Sequence, residues 1–575
     1  MSTDRSADPA ETVLAAYEGW LDAFAEVTRR APGRFLRREW RSGQRDAAER
    51  LTLYSAAVDR VVAALRGKVP DGPAAKRAFE RRVAGRGDEE LAATFYNSVV
   101  RRVLGTVGVE PESEFTADGD APPGEACEET GLCVRHESEG VSPALFEAIF
   151  RATPLAGAFA DLPGDAALCA RALREQLGGD AGRVRAAEVL RPPFYRNKAA
   201  YLVGRLRLDG GALRPLVVAL LHEGDGVRPD AVLATADEVH VVFSFARSYF
   251  HVDTERPGEV VAFLRTLMPA KPLHELYTSV GQNKHGKTEL YRALKRQLRE
   301  PDARFEPAEG VKGLVMSVFT LPAYNVVFKV IKDDFGAPKS VTRAQVMEKY
   351  RLVFALDRVG RLVDAQEFEH LEFPRDRFSP EALDELLRVA PGSVRVRDGS
   401  VVVGHLYTER RIRPLDLYLR EADEAAAKAA IVEYGWAIRD LACANVFPGD
   451  LLLKNFGVSR HGRVMFYDYD EISRLVDVTF RPIPKARHEE DEMGAEAWFS
   501  VDEGDVFPEE FLPFLIPPGP LREAFLEVHA DLFTVGFWRE MQERQRGGEV
   551  PDFFPYPQTR RLKALREEAR TLETV

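Results

Sequence analysis

The chain has 575 residues, a net charge of −12, and 45% apolar against 30% charged residues. One hydrophobic core stops growing at about 250–300 residues, so two or more domains are expected. The acidic balance argues against a nucleic-acid partner. No run of about eighteen apolar residues offers a membrane span, and the start MSTDRSADPAETVLAAYEGW lacks a signal peptide's basic-then-apolar order.

Residues 10–105 read as helical, with apolar positions Val13, Tyr17, Trp20, Leu21 and Phe24 between Arg-rich faces. Residues 109–140 are acidic and rich in Pro and Gly, which predicts a long surface loop. Cys127 and Cys133 flank an acidic turn in it, with His136 near. That spacing is poor for zinc, and the four cysteines (Cys169 and Cys443 complete the set) suggest thiols in a reducing compartment. Over 199–253 the period changes. AAYLVGRLRL, LRPLVVALLH, AVLATADEVHVVFSFA and SYFHVD predict an antiparallel sheet within the helical first half.

Residues 281–288, GQNKHGKT, fit the phosphate-loop pattern G-x-x-x-x-G-K-[ST]. A true phosphate loop needs a buried strand before it. Here KPLHELYTSV precedes, with Leu273, Leu276, Tyr277 and Val280 at helical spacing, and TELYRALKRQL follows in the same period. The motif is therefore predicted to be a polar helix–helix connection. Lys287 and Thr288 are not expected to hold ATP.

After residue 310 the order becomes strand, strand, helix, strands and a helical section, as in a bilobal kinase. Asp450 and Asn455 are five apart in FPGDLLLKNF, and Asp468 follows thirteen later in VMFYDYDE. Kinase catalytic loops space an Asp and an Asn this way. Asp450 is expected to accept the proton of an attacking hydroxyl. Asn455 and Asp468 are expected to hold Mg²⁺ (or Mn²⁺) against the phosphates of ATP. On the nucleotide side, AEGVKGLVMSVF supplies a short glycine loop with Gly310 and Gly313. Lys329, sixteen residues past Gly313, lies on the next strand. Lys332 competes with it, but Lys329 sits between Phe328 and Val330 and needs a buried partner. A helix-borne Glu348 is the expected one. Two departures stand out: Pro-Gly replaces His-Arg before Asp450, and Asp468-Tyr469-Asp470-Glu471 replaces Asp-Phe-Gly. The extra carboxylate of Asp470 suits the positioning of a water beside the metal. In an extended strand Asp468 and Asp470 would share one face.

FPGDLLLKNFGVSRHGRVMFYDYDEI, VFTLPAYNVVFKVIKDDF, DRVGRLVDAQEFE, EDEMGAEAWFSVDEGDVFPEEF and RPPFYRNKAAYLVG resemble the isocitrate dehydrogenase kinase/phosphatases, from about residue 90 to 555. The resemblance implies a bifunctional cytoplasmic enzyme. It would phosphorylate a serine of isocitrate dehydrogenase and remove that phosphate again, at the branch between citric acid cycle and glyoxylate bypass. It implies a mainly helical, AMP-binding regulatory domain over 1–305 and a kinase-like catalytic domain over 306–575. The family's ATP stretch falls on Ala308 and Glu309 through Gly310, Val311, Lys312 and Gly313 to Leu314, with Lys329. Its active-site aspartate falls on Asp364. Residues 478–517, acidic and carrying Trp498, Phe499 and Phe507, are expected to dock the folded substrate. Whether the chain forms a homodimer is left open. The rival readings are a small-molecule phosphotransferase on the same fold and a non-catalytic adenylate sensor.

Overall fold

The computed structural model describes residues 8–67, 71–116, 131–244, 249–336, 341–356, 358–484, 499–502 and 504–573. The chain divides into two compact units, Met1–Glu300 with Asp552–Val575, and Pro301–Pro551.

In the first unit the expected helical run forms five helices: Pro9–Arg29, Ala31–Leu36, Trp40–Leu65, Gly72–Val83 and Glu89–Leu104. Asp8 caps the first by accepting from the Ala10 amide at 3.0 Å. Val13, Tyr17 and Trp20 are buried and Leu21 and Phe24 pack beside them. Trp20, Tyr54 and Phe95 tie three of the helices together, with the Tyr54 ring edge-on to both partners at 5.0 and 5.3 Å.

An antiparallel six-stranded sheet follows. Its order is Cys133–Glu137, Val184–Leu190, Ala199–Leu208, Leu213–His222 and Val227–Leu233, with Phe194–Arg196 paired to the third of these. Three expectations are corrected here. The 109–140 region contributes the strand Cys133–Glu137. The run AVLATADEVHVVFSFA does not continue as strand, because Thr235 starts a helix over Ala236–Val242. Thr235 accepts from the Glu238 amide and donates to the Glu238 carboxylate, an N-cap that outweighs the β-branched residues after it. Third, among the described residues Cys169 and Cys443 are free, whereas Cys133 is disulfide-bonded. Cys127 lies outside the described residues.

The C-terminal segment, read from sequence as the end of a domain over 306–575, packs on this first unit. Asp230 in the strand Val227–Leu233 receives both Arg561 (2.8 Å) and the Tyr556 hydroxyl (2.7 Å), and its carbonyl accepts from the Leu562 amide at 2.7 Å.

No strand precedes GQNKHGKT, but the expected helix–helix connection is corrected: only Gly281 and Gln282 of the motif lie between the helices Leu273–Ser279 and Asn283–Gln297, and residues from Asn283 on form the start of the second helix. Gly286 is inside the second helix and serves packing. A Cβ there would lie 2.6 Å from the His274 carbonyl oxygen and 2.6 Å from Thr278 Oγ1. Gly286→Ala should therefore destabilise the protein by about 1–3 kcal/mol through overpacking, read as a lowered urea midpoint. An unchanged midpoint would contradict this packing role.

The second unit opens with another antiparallel six-stranded sheet. Its order is Ala365–Pro374, Ser400–Arg410, Tyr324–Ile331, Met316–Leu321 and Glu306–Pro307, with Val394–Arg397 paired to Ser400–Arg410. Phe305, Phe319, Phe328, Phe373 and Phe378 form its aromatic centre. The helix Arg343–Leu356 lies between strands in the chain, where the sequence predicts it. The long helix Glu424–Cys443 precedes two short antiparallel pairs, Val446–Phe447 with Ser473–Arg474 and Phe456–Val458 with Val464–Phe466, and Pro520–His529 packs against it. No helix among the described residues is long and apolar enough to cross a membrane.

Candidate active site

Met316–Leu321 and Tyr324–Ile331 pair antiparallel, and Val318 stands opposite Lys329. The glycine loop is the turn that enters this hairpin from Glu306–Pro307. The Ala308 amide donates to the Val318 carbonyl at 3.0 Å, and Val311 and Leu314 project from the turn, 70% and 46% exposed. Apolar side chains held in water at a loop tip are suited to closing over a flat ligand.

Lys329 is 6% exposed. Its ammonium meets Glu409 Oε2 at 2.7 Å and donates to the Tyr467 carbonyl, also at 2.7 Å. The expected partner was Glu348, and the structure corrects it: Glu348 is exposed on its helix. Glu409 comes instead from the neighbouring strand, where Tyr407 stands opposite Lys329. The helix supplies Tyr350, whose hydroxyl donates to Glu409 Oε1 at 3.2 Å. Burial pushes the Glu409 carboxyl up, Lys329 pulls it back, and nearby Asp364 pushes it up again. Lys332, the competing lysine, turns to the outside of the loop and donates to the Gly313 carbonyl at 2.7 Å.

The Tyr467 carbonyl leads straight to the carboxylates that the sequence marks as candidates. Phe456–Val458 and Val464–Phe466 form a hairpin with Phe456 opposite Phe466, and the Tyr467 amide donates to the Asn455 carbonyl at 3.1 Å. Asn455 is thus placed beside the start of the Asp468 segment. Leu362 bridges Phe466 in parallel, with the Val363 amide donating to Phe466 at 3.0 Å. Both chains run on two residues to an aspartate, Asp364 and Asp468. Asp364 also accepts from the Gln366 side chain at 2.8 Å.

The Asp450 loop is held from within. Asp450 Oδ1 accepts from the Leu452 amide at 3.0 Å, and the Asn455 side chain donates to the Asp450 carbonyl at 3.3 Å. Tyr434, fully buried in the long helix, donates to the Leu451 carbonyl. Val446–Phe447 pairs with Ser473–Arg474, which brings the loop alongside the Asp468–Glu471 stretch. Gly449 has φ +82°, and a Cβ there would lie 2.7 Å from the Glu471 carbonyl oxygen. This explains Pro-Gly where kinases carry His-Arg: the backbone itself packs on the acidic run.

Asp468 and Asp470 are half-buried. The strand ends at Phe466, so alternation along a pleated strand does not govern them, contrary to the sequence expectation. What separates them is Tyr469, 1% exposed, whose hydroxyl donates to the Val363 carbonyl at 2.6 Å. Of the segment 478–517, residues 485–498, including Trp498, lie outside the described residues. Phe499 and Phe507 pack together at 5.3 Å, and Arg481 lies over the Phe507 ring.

A buried lysine on a sheet, tied to the residue before one aspartate and set near an Asp/Asn loop, is the working arrangement of a kinase. The whole chain agrees with it. The sequence profile described as "Isocitrate dehydrogenase kinase/phosphatase (AceK), regulatory domain" matches residues 10–302, and that described as its kinase domain matches 303–558. The chain belongs to the isocitrate dehydrogenase kinase/phosphatase family. A relative of that name from Anaeromyxobacter sp. (strain Fw109-5) is 50% identical over 570 residues, covering 97% of this chain and 98% of the relative. Another, from Anaeromyxobacter dehalogenans (strain 2CP-C), is 50% identical over 577 residues, covering 96% and 97%. The kinase of Cydia pomonella granulovirus aligns at 14% identity with a TM-score of 0.19, covering 44% of this chain and 98% of that one.

Sequence reading missed Glu409, Tyr350 and Tyr467, which surround the Lys329 ammonium and its counter-charge. A signal for Glu409 was present. In SVVVGHLYTER, Val401, Val403, His405, Tyr407 and Glu409 share one phase, and all five are buried. A carboxylate in phase with a buried face needs a buried cation. Removing one member of such a pair leaves the other uncompensated, at about 3–5 kcal/mol. Glu409→Gln should lose stability on that scale and Glu348→Gln almost none, as thermal melts of the two variants will show. The reverse order would restore Glu348 as the partner.

Proposed function

We propose that this protein transfers phosphate from ATP to a serine of isocitrate dehydrogenase and also hydrolyses that phosphoserine; its relatives are named isocitrate dehydrogenase kinase/phosphatase. The observation that supports this most is the contact of Lys329 with Glu409 and with the carbonyl that precedes Asp468.

Lys329 holds the α- and β-phosphates, and the loop Ala308–Leu314 covers the triphosphate. Asp468 and the Asn455 side chain, with Asp364 and Asp470 near, form an oxygen-only donor set, which fits Mg²⁺ or Mn²⁺. The bound ion supplies charge neutralisation on the phosphates. Asp450 accepts the serine proton through the carboxylate oxygen that the Leu452 amide does not occupy. In the reverse activity Asp470 orients a water toward the phosphoserine phosphorus. Residues from Met1 to about 305 form the regulatory part, and AMP is its effector. The stretch 478–517 docks the folded substrate. Asp364, placed two residues past the Leu362–Phe466 bridge, braces the donor set beside Asp468.

The test is direct. Purified protein is incubated with isocitrate dehydrogenase and Mg·ATP labelled in the γ-phosphate, and labelled dehydrogenase is then returned to the protein with ADP. Label on a dehydrogenase serine, followed by its release as inorganic phosphate, is expected. Label passing to a small metabolite, or no transfer at all, overturns the proposal.

A further inference from the structure

The phosphate-loop look-alike contains a histidine that nucleotide chemistry does not use. His285 is 2% exposed, in the helix Asn283–Gln297. Its Nδ1 is held by the Thr94 hydroxyl at 2.8 Å. Its Nε2 is buried and has no hydrogen-bond partner. That nitrogen faces two carboxylates, Glu90 Oε2 at 3.3 Å and Glu289 Oε1 at 4.0 Å. The 3.3 Å approach is close without the direction of an N–H···O bond. Glu90 and Thr94 are one turn apart on the helix Glu89–Leu104, and His285 and Glu289 one turn apart on theirs. One ligand atom from each of Glu90, His285 and Glu289 falls within 4.8 Å of the other two.

We propose that Glu90, His285 and Glu289 bind a divalent transition-metal ion of the Zn²⁺ or Co²⁺ class. Three physical points carry this. First, if the Thr94 hydroxyl accepts from Nδ1–H, the lone pair of Nε2 points at carboxylate oxygens and needs a cation between them. A second-sphere bond to the far nitrogen is also what orients metal-ligating histidines. Second, Zn–N and Zn–O bonds of about 2.0–2.2 Å put ligand atoms about 3.3 Å apart around a tetrahedral ion. The Glu90–His285 distance already has that value, and Glu289 needs a small rotation. Third, Arg292 takes Glu289 Oε1 at 2.5 Å and approaches Glu90 at 3.7 Å. Its single charge leaves the two carboxylates one positive charge short when His285 is neutral. A mixed imidazole and carboxylate set selects the Zn²⁺ and Co²⁺ class over Mg²⁺. The ion would clamp the helices Glu89–Leu104 and Asn283–Gln297 to each other.

The competing state is a metal-free cluster in which protonated His285 balances the charge. Titration of the chelator-treated full chain with Co²⁺, in excess Mg·ADP to fill the oxygen-only site, separates the two. Expected is one equivalent of Co²⁺ with visible bands of a nitrogen-containing, low-coordinate site, and a rise in melting temperature. Thr94→Val should weaken binding about 10–100-fold, and His285→Gln should weaken it more and remove the bands. Glu90→Gln, at a partly exposed position, checks that a variant folded by circular dichroism also loses affinity. No saturable Co²⁺ binding, or binding unchanged in His285→Gln and Glu90→Gln, overturns the proposal.

Discussion

Asp450→Asn is expected to lower the rate of phosphate transfer to isocitrate dehydrogenase by about 10²–10⁴-fold, the usual worth of a positioned general base. That is about 3–5 kcal/mol of barrier. The substitution is isosteric, and Asn can keep the bond that Oδ1 accepts from the Leu452 amide. The loop is also secured by Tyr434 on the Leu451 carbonyl and by the Asn455 side chain on the Asp450 carbonyl, neither of which needs the carboxylate. ATP affinity should stay within a few-fold, because Lys329 and the glycine loop are untouched. Single-turnover transfer and nucleotide titration measure the two quantities. Turnover within a few-fold of the parent chain would remove Asp450 from its role.

The second large effect is a separation of activities at Asp470. Asp470→Ala should lower phosphoserine hydrolysis by about 10²-fold or more, while serine phosphorylation falls only several-fold. Transfer to serine brings its own nucleophile and base. Hydrolysis needs a water fixed beside the phosphorus, and a carboxylate next to a metal-binding aspartate can fix one. Tyr469 makes this geometry specific. Its buried hydroxyl anchors the segment on Val363, so Asp470 emerges at the bend that follows, next to Glu471 and the Gly449 backbone. Removing the Asp470 side chain leaves that anchor in place, so the fold of the segment should survive. Both rates are to be measured at saturating nucleotide. Equal loss of the two, or a preferential loss of phosphorylation, rejects the assignment and makes Asp470 a brace for the metal site.

Local rules carried the sequence reading where one chemistry dominates. The spacing of Asp450, Asn455 and Asp468 was legible because a short loop and a hairpin fix it, and Lys329 because a lysine between Phe328 and Val330 cannot be idle. The phosphate-loop look-alike was legible as a decoy because the helical period of Leu273, Leu276, Tyr277 and Val280 runs into it. Long-range choices were not legible. Glu348 and Glu409 differ only in which strand stands beside Lys329, and pairing between residues far apart in sequence leaves no local trace. Thr235 shows the opposite failure. Its local N-cap was in view, and the β-branched run behind it was given too much weight. The return of residues from Asp552 onward to the first unit rests on Asp230, more than three hundred residues away, and no composition shift announces it.

The counter-charge of Lys329 sits on a strand of the same sheet, hydrogen-bonded in register two residues from the lysine's own partner. In many protein kinases a mobile helix brings that carboxylate in and out, and the swing is the on–off control. Here the helix Arg343–Leu356 contributes only a phenol to a pair that is complete without it. Displacing that helix would cost the charge-assisted bond from Tyr350 to Glu409, about 1.5–3 kcal/mol, and the stacking of Tyr350 on Tyr407, yet would leave the ammonium and carboxylate in contact. The nucleotide cradle therefore has no built-in off position of that kind. Any effector that chose between adding and removing phosphate would have to act on what the cradle is allowed to meet, water or serine, and not on whether it is assembled.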